Sequence, residues 1–377
     1  YIMEPENRNT LLLKATTKNP WSIGIGGWLT SSTHSLLFLN FGYHTLSFNS
    51  LDADLGLWIG QSYIGAKLSG KWALTGNVPS YLEADLVYNR QKYYNSELLF
   101  YQIHTPTFII DQQGYLRFSY TRALKRTSKL TASVSGGLLS DRYYPDNNTD
   151  YANRERDKSN YKALNFKLDY QQSTLDNVLY PMSGRYVDIN LLGTLENVDY
   201  LPEGDKSRTD KSGAHYAISL EATWRRFVSL HKHFQLGFNV HSLVTIQSLF
   251  QNYTASLVHM PGYAPTPSTE NYFNTAFRSD NYIAAGLTPV WNPAGKLQLR
   301  GEFHTFVPIR DIKELPDGNA MHDGWFRRAE FIGEVAMVYN FPFASLSVYC
   351  NYLSYPGKNW NVGISFGLPF HAPRFGR

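Results

Sequence analysis

The sequence predicts an all-β fold, a transmembrane antiparallel β-barrel of about 16 strands. Three observations predict it. Apolar and polar residues alternate along many short segments, short and long polar connections take turns between these segments, and aromatic residues make up 15% of the 377 residues. No run approaches the roughly 18 consecutive apolar residues of a membrane-spanning helix, so a helical membrane protein is excluded.

The alternation has a period of two residues, which is the side-chain period of a β-strand. Along residues 214–225, apolar residues such as Leu220 and Trp224 share one face, and polar residues such as Glu221 and Arg225 share the other. The same pattern recurs down the chain. The predicted strands are 21–30, 35–45, 52–60, 62–75, 81–92, 113–124, 128–142, 162–174, 184–196, 214–228, 232–248, 281–291, 295–308, 328–340, 344–354 and 359–370. A sheet this wide must close on itself or split, because open edges invite pairing with other chains.

The connections between these strands have a polarity. From about residue 75 onward, short turns alternate with long polar loops, which are 93–112, 143–161, 197–213, 249–280 and 309–327. Tight turns therefore belong at one end of the barrel and long loops at the other, a polarity that two soluble β-sandwiches would not need. Aromatic residues near strand ends favour girdles at a membrane interface: Tyr143, Tyr144, Tyr161, Tyr180, Tyr186, Tyr352, Tyr355 and Trp360.

Other classes of function lack a signal. The net charge of +4 is scattered rather than gathered in a basic stripe, so no nucleic-acid partner is expected. Neither a G-x-S-x-G elbow nor a phosphate or dinucleotide loop occurs, so no catalytic residue and no cofactor are assigned. His231 and His233 are better explained as solvated or lumen residues than as metal ligands. The single cysteine, Cys350, excludes a disulfide scaffold.

Charged residues inside the strands are expected to face the lumen: Arg117, Glu221, Arg225, Arg300 and Glu302. An Arg or Lys on the lipid face at mid-bilayer costs about 2 to 4 kcal/mol. Two roles stay open for them. They either fill the barrel as a satisfied polar network, or they line a conduit and hold a loop that folds inward.

The stretch T-L-D-N-V-L-Y-P-M-S-G-R-Y, residues 174–186, breaks two alternating runs. Asp176, Pro181 and Gly184 predict a turn there, because proline cannot donate to a β-ladder and glycine accepts a strained backbone angle. This motif, entering a strand that reads R-Y-V-D-I-N-L, resembles the barrel of the BamA-like outer-membrane superfamily.

In that superfamily, three strands after this turn lead to a long loop that folds into the lumen with an Arg-Gly-aromatic tip. Here three strands lead to loop 249–280, in which Gly262 and Tyr263 match the Gly-aromatic pair. Pro261 stands where the family has arginine, which puts the familiar salt bridge from loop tip to lumen carboxylate in doubt. Glu302 lies where such a carboxylate would be sought.

The last predicted strand places Phe366, Leu368 and Phe370 on one face. It resembles the aromatic-terminated signal by which outer-membrane barrels are recognised for insertion, although plain amphipathic alternation would produce the same pattern. Seven further residues follow, whereas the family usually stops at the aromatic.

The resemblance implies a lead-in at 1–20 from an upstream region, a barrel at 21–370 in the outer membrane of a Gram-negative bacterium, and a tail at 371–377. Among the branches, the sequence is most similar to the C-terminal barrel of patatin-type autotransporters, which serves as membrane anchor and secretion barrel. The alternatives are a BamA/TamA-type assembly barrel and a passive porin, and an upstream patatin-like lipase domain would make the full-length protein an enzyme. Implied partners are outer-membrane lipids and lipopolysaccharide, the assembly machinery, and polypeptide cargo or a fused domain. A homodimer is left open.

Overall fold

The computed structural model of the chain describes residues 2–3, 11–12, 19–32, 34–45, 50–94, 107–144, 155–202, 213–250, 252–270, 273–354, 360–369 and 373–376. Two short strands, β1 (Ile2–Met3) and β2 (Leu11–Leu12), pair with each other outside the barrel. Within the described residues, no helix is long and apolar enough to cross a membrane.

Sixteen antiparallel strands close into one barrel, which confirms the predicted fold class. Neighbours in the barrel follow chain order, except that β15 pairs with β18 because a separate hairpin interrupts them. The barrel strands are β3 (Trp21–Thr30), β4 (Leu36–His44), β5 (Leu51–Gly60), β6 (Tyr63–Leu74), β7 (Ser80–Tyr94), β8 (Thr107–Lys125), β9 (Ser128–Tyr143), β10 (Asp157–Ser173), β11 (Gly184–Leu201), β12 (Gly213–His231), β13 (Phe234–Gln247), β14 (Tyr282–Trp291), β15 (Leu297–Pro308), β18 (Glu330–Asn340), β19 (Ser345–Leu353) and β20 (Trp360–Gly367). The interrupting hairpin is β16 (Arg310–Glu314) with β17 (Ala320–Trp325).

The outside of the barrel is apolar and the inside is polar. On β12, Ile218, Leu220 and Trp224 are 55%, 50% and 38% exposed, whereas Arg300 and Glu302 on β15 are 3% and 7% exposed. Apolar side chains that would be costly in water therefore face outward along every strand pair, as a lipid-facing surface requires.

The strands on the long-loop side run further than predicted. β8 begins at Thr107 rather than 113, β10 at Asp157 rather than 162, and β11 continues to Leu201 rather than 196. The added part of β11 alternates in the opposite sense, with Val198 and Tyr200 buried between exposed polar residues, and the added part of β8 has consecutive buried residues at Ile109 and Ile110. Neither continues the pattern of apolar residues outward that marked the predicted strands. The predicted loop 309–327 likewise contains the hairpin β16–β17.

Two predictions at strand ends need correction. Tyr143, Tyr144, Tyr161 and Tyr180 are 0% to 4% exposed, so they point into the barrel and do not form a girdle at the lipid interface. Trp360 is 69% exposed and keeps its expected outward position, Tyr186 and Tyr352 are partly buried, and Tyr355 falls outside the described residues.

The last strand stops at Gly367, short of the predicted 370, because Gly367 has a φ of 115° that only glycine adopts readily. Leu368 thus lies beyond the strand, Phe366 lies within it, and Phe370 falls outside the described residues.

Candidate functional site in the barrel lumen

The connection between β13 and β14 folds into the lumen. Its first part is a short helix, α1 (Tyr253–His259), capped by the Asn252 side chain, which accepts a hydrogen bond from Ala255 N at 2.7 Å. The Asn252 amide also donates to Tyr200 Oη at 3.3 Å, and so ties the helix to the inner wall on β11. Tyr143, Tyr144 and Tyr161, which were expected at the lipid interface, instead pack around this helix.

Arg278 fastens the loop to itself. Its Nη1 donates to the carbonyl oxygens of Leu257, Val258 and Met260 at 3.2, 3.4 and 2.6 Å, which are the free carbonyls at the C-terminal end of α1. Its backbone forms an isolated antiparallel bridge with Gly262. The loop tip is thus held by an arginine that follows it in sequence, at a position that sequence analysis did not single out.

The loop tip reaches the opposite part of the wall through Tyr263. This residue is 5% exposed and packs with Phe277, Tyr282 and Phe306 in a buried apolar cluster. Its hydroxyl lies 3.1 Å from His304 Nδ1. Pro261, by contrast, is only partly buried. Among the described residues, it makes no contact that takes the place of the salt bridge of the family's arginine.

Beyond Tyr263, a buried polar network continues along β15. His304 Nε2 lies 3.1 Å from Glu302 Oε2, and Arg300 Nη2 lies 3.0 Å from Glu302 Oε1. Thr288 Oγ1 donates to Glu302 at 2.9 Å, so the carboxylate has partners on both oxygens. Glu302 is therefore the lumen carboxylate of the site, but its cationic partner comes from its own strand rather than from the loop.

The same network reaches the turn between β10 and β11. Arg300 Nη1 donates to Pro181 O at 2.9 Å, and the Arg300 guanidinium lies 5.5 Å from the ring centre of Tyr180. Asp176 supports the turn by accepting from Met182 N and Ser183 N at 2.9 and 3.1 Å. The turn motif is thus held by Arg300 from across the lumen, and Tyr180 packs there against residues of β18 and β19.

Gly184 ends this turn with a φ of 95°, and a Cβ there would meet Thr174 O at 2.1 Å. Glycine is required at this position because the strained angle and the close backbone approach exclude a side chain.

A second carboxylate holds the middle of the loop. Glu334 on β18 accepts hydrogen bonds from Thr266 Oγ1 at 3.3 Å and from Ser268 Oγ. Asn351 Nδ2 donates to the same Ser268 hydroxyl at 3.1 Å. Neither Glu334 nor Ser268 carries a sequence signal, because alternation places a residue on a face but does not say which faces meet across a lumen.

His259 at the end of α1 sits between two acidic side chains. Its ring lies 3.4 Å from Glu196 Oε2 and 3.7 Å from Asp141 Oδ2. Burial lowers the pKa of His259, but the attraction of Glu196 and Asp141 outweighs burial and raises the pKa above its ordinary value of 6.5.

The other predicted lumen charges lie on β12 and β8. Glu221 accepts from His241 Nε2 at 2.8 Å and from Asn190 Nδ2 at 3.3 Å. Arg225 lines a cavity of about 400 Å³ next to the loop tip. Arg117 donates to the carbonyl oxygen of Arg374 at 2.9 Å, which places part of the C-terminal tail inside the lumen.

The seam between the first and last barrel strands is short. β20 pairs with β3 only at Ser365–Thr30, Phe366–Leu29 and Gly367–Trp28, whereas β3 pairs with β4 from Trp21 to Trp28. In the part of the chain that the structure describes, residues 21–26 of β3 have no ladder partner on the β20 side.

No model of a known protein family matches the chain, and no curated protein matches it by sequence. Solved structures do match. BamA from Haemophilus ducreyi lacking POTRA domains 1–3 is similar with a TM-score of 0.63 at 10% identity, over 93% of this chain and 70% of that chain. CdiB from Escherichia coli is similar with a TM-score of 0.50 at 10% identity, over 94% of this chain and 63% of that chain. The chain thus spans less than the whole of either protein, and less than two thirds of CdiB.

The fold is similar to that of these two barrels, in agreement with the resemblance drawn from the turn motif and strand count. Even-numbered antiparallel barrels with an apolar exterior are typical of bacterial outer membranes, which supports the predicted location.

Proposed function

We propose that this barrel moves polypeptide across or into the outer membrane, and that it is the membrane anchor and secretion barrel of a patatin-type autotransporter. The observation that carries the proposal is the seam between β3 and β20, which holds three residue pairs among the described residues, while each neighbouring seam holds eight. In lipid, each unpaired backbone group costs several kcal/mol. The β3–β20 junction is therefore the place where the barrel opens at the lowest cost.

The filled lumen supports the same proposal over a passive porin. A porin needs an open aqueous channel, but here the loop packs on the inner wall through Asn252, Tyr263 and Ser268. A barrel with an occupied lumen and a weak seam is suited to moving polypeptide chains at the seam.

A second candidate is a BamA/TamA-type assembly barrel. The exposed ladder edge of residues 21–26 favours it, because a free strand edge can template an incoming strand. This role and secretion of an attached domain use the same edge but different cargo, so an experiment on cargo separates them.

The test locks the seam with a disulfide. In a Cys350→Ser background, Thr30→Cys with Ser365→Cys joins β3 to β20, since directly opposed strand residues lie within disulfide range. The matched control joins the same strand to its other neighbour through Ser347→Cys with Ser365→Cys. Both pairs are studied in the full-length protein, with and without reductant.

The oxidised seam lock is expected to stop surface exposure of the attached polypeptide, to leave other outer-membrane proteins at normal levels, and to be reversed by reductant. Loss of other outer-membrane proteins would instead identify the assembly barrel. Normal secretion with a fully oxidised seam lock would contradict both.

A further inference from the structure

The C-terminal tail lies in the lumen on the wall opposite the loop tip. Pro373 O accepts hydrogen bonds from Tyr115 Oη and from Asn89 Nδ2, the latter at 3.3 Å. Arg374 O accepts from Arg117 at 2.9 Å. These contacts come from β7 and β8, deep inside the barrel, although the tail leaves β20 at the short-turn end.

The same wall also accepts hydrogen bonds from backbone N–H groups of the tail. Phe375 N donates to Gln113 Oε1 at 2.9 Å, and the Gln113 amide is fixed by donating to both Asp111 oxygens at 3.1 Å. The side-chain amide of Asn165 on β10 satisfies its neighbours when its oxygen faces the tail, and in this orientation the oxygen accepts a hydrogen bond from Gly376 N at 3.1 Å. Barrel side chains thus satisfy two carbonyls and two N–H groups within four consecutive tail residues.

Two tail side chains add selectivity. The Phe375 ring packs edge-on to Tyr115, with ring centres 5.4 Å apart, beside an aromatic cluster that includes Trp58. Arg374 Nη2 donates to Tyr93 Oη at 2.6 Å. The wall therefore offers one aromatic pocket and one guanidinium partner on a platform that otherwise recognises main chain.

From this geometry we infer that the lumen wall of β7, β8 and β10 is a binding site for a polypeptide segment with an Arg-aromatic pair, occupied in this chain by its own C-terminal tail, which turns at Phe375 and Gly376. Side chains that pair with main-chain groups accept most sequences, because every peptide presents those groups. The tail is a tethered ligand whose effective concentration is on the order of millimolar, so it excludes a free peptide at micromolar concentration. The inference needs no assumption about secretion.

The test uses the full chain folded in detergent and a fluorescent peptide with the tail sequence H-A-P-R-F-G-R. Binding is measured by fluorescence anisotropy to wild type and to an Arg374→Ala/Phe375→Ala double variant, which weakens the tethered ligand. Phe343→Ala, which alters an aromatic residue that is 72% exposed in a short turn, is the matched control. Heat-modifiable gel mobility confirms that every variant is folded.

The double variant is expected to bind the peptide at least about tenfold more tightly than wild type and the Phe343→Ala control, because the site is vacated. Adding Gln113→Ala to the double variant is expected to abolish that gain, since the Phe375 N–H partner is lost. Equal binding by wild type and the double variant, or a gain that survives Gln113→Ala, would overturn the inference.

Discussion

The buried carboxylate Glu302 provides the sharpest test of the lumen network. Glu302→Gln keeps the shape of the side chain and removes its charge. Arg300, which is 3% exposed, then loses the carboxylate that lies 3.0 Å away and faces an amide, one of whose two polar groups is a donor. The Thr288 and His304 hydrogen bonds must also rearrange around the amide.

The expected loss follows from burial. Breaking a buried ion pair by removing one partner costs about 3 to 5 kcal/mol, because the remaining charge stays desolvated. Arg300 keeps the Pro181 carbonyl and the Gln298 side chain as acceptors, at 2.9 and 3.1 Å, which offsets part of this cost. We therefore expect the free energy of unfolding to fall by about 3 kcal/mol.

The measurement is urea unfolding of the refolded barrel, followed by heat-modifiable gel mobility and tryptophan fluorescence. The matched control is Asp323→Asn, which removes the carboxylate of an exposed pair with Lys313 on the hairpin β16–β17. Exposed pairs are screened by water, so this control is expected to leave stability unchanged.

A double-mutant cycle with Arg300→Met decides whether the two residues act as a pair. The double variant should lose less than the sum of the single losses, by about 1 to 3 kcal/mol. A loss below about 0.5 kcal/mol for Glu302→Gln, the size of an ordinary surface change, would refute the network as the element that holds loop and turn together.

Three further predictions concern the loop and the turn. Tyr263→Ala should lower the free energy of unfolding by about 3 kcal/mol and reduce the amount of barrel at the cell surface. Gly262→Ala should change stability little, because a Cβ there would meet Arg278 at an ordinary contact distance of 3.5 Å. Normal gel mobility and surface levels for Tyr263→Ala would contradict this prediction. The raised pKa of His259 means that its anchoring of α1 is fully present below pH 6.5 and is lost as pH rises through the folded value, so proteolysis of the loop should increase with pH in wild type but not in His259→Gln. Gly184→Ala should destabilise by about 1 to 3 kcal/mol, while Gly70→Ala, where a Cβ meets no described atom within 4 Å, should not.

The barrel could be predicted because one physical constraint repeats along it. Each strand must present apolar groups to lipid and polar groups to the lumen. Alternation such as that around Leu220 and Glu221 therefore indicates the fold class, the side of the barrel that each residue faces and the number of strands. Where that constraint ends, prediction fails. In the outer part of β11 the apolar residues Val198 and Tyr200 face inward, and in the outer part of β8 two consecutive isoleucines are buried, so the apolar-outward pattern stops there.

The site could be predicted only in its parts. Tyr263, Glu302, Arg300 and Pro181 were each singled out, and the structure joins them in one hydrogen-bonded chain. The links between them were not predictable, because hydrophobic periodicity and turn chemistry describe only local structure. His304 acts across the lumen, and Arg278 contacts an earlier part of the loop. The roles proposed for these residues in handling polypeptide remain predictions.

The position of the cation changes what it costs to release the loop. If the loop tip carried the arginine, withdrawing it would leave Glu302 buried without a partner, at a cost of about 3 to 5 kcal/mol. Here Pro261 takes that place and Arg300 in the wall neutralises Glu302 whether or not the loop is present. Withdrawal of the tip then breaks the hydrogen bond between Tyr263 and His304, which is worth about 1 kcal/mol, in addition to apolar packing. The charge balance at Glu302 is thus independent of the loop tip, so the tip can leave this part of the wall without leaving Glu302 buried and unpaired.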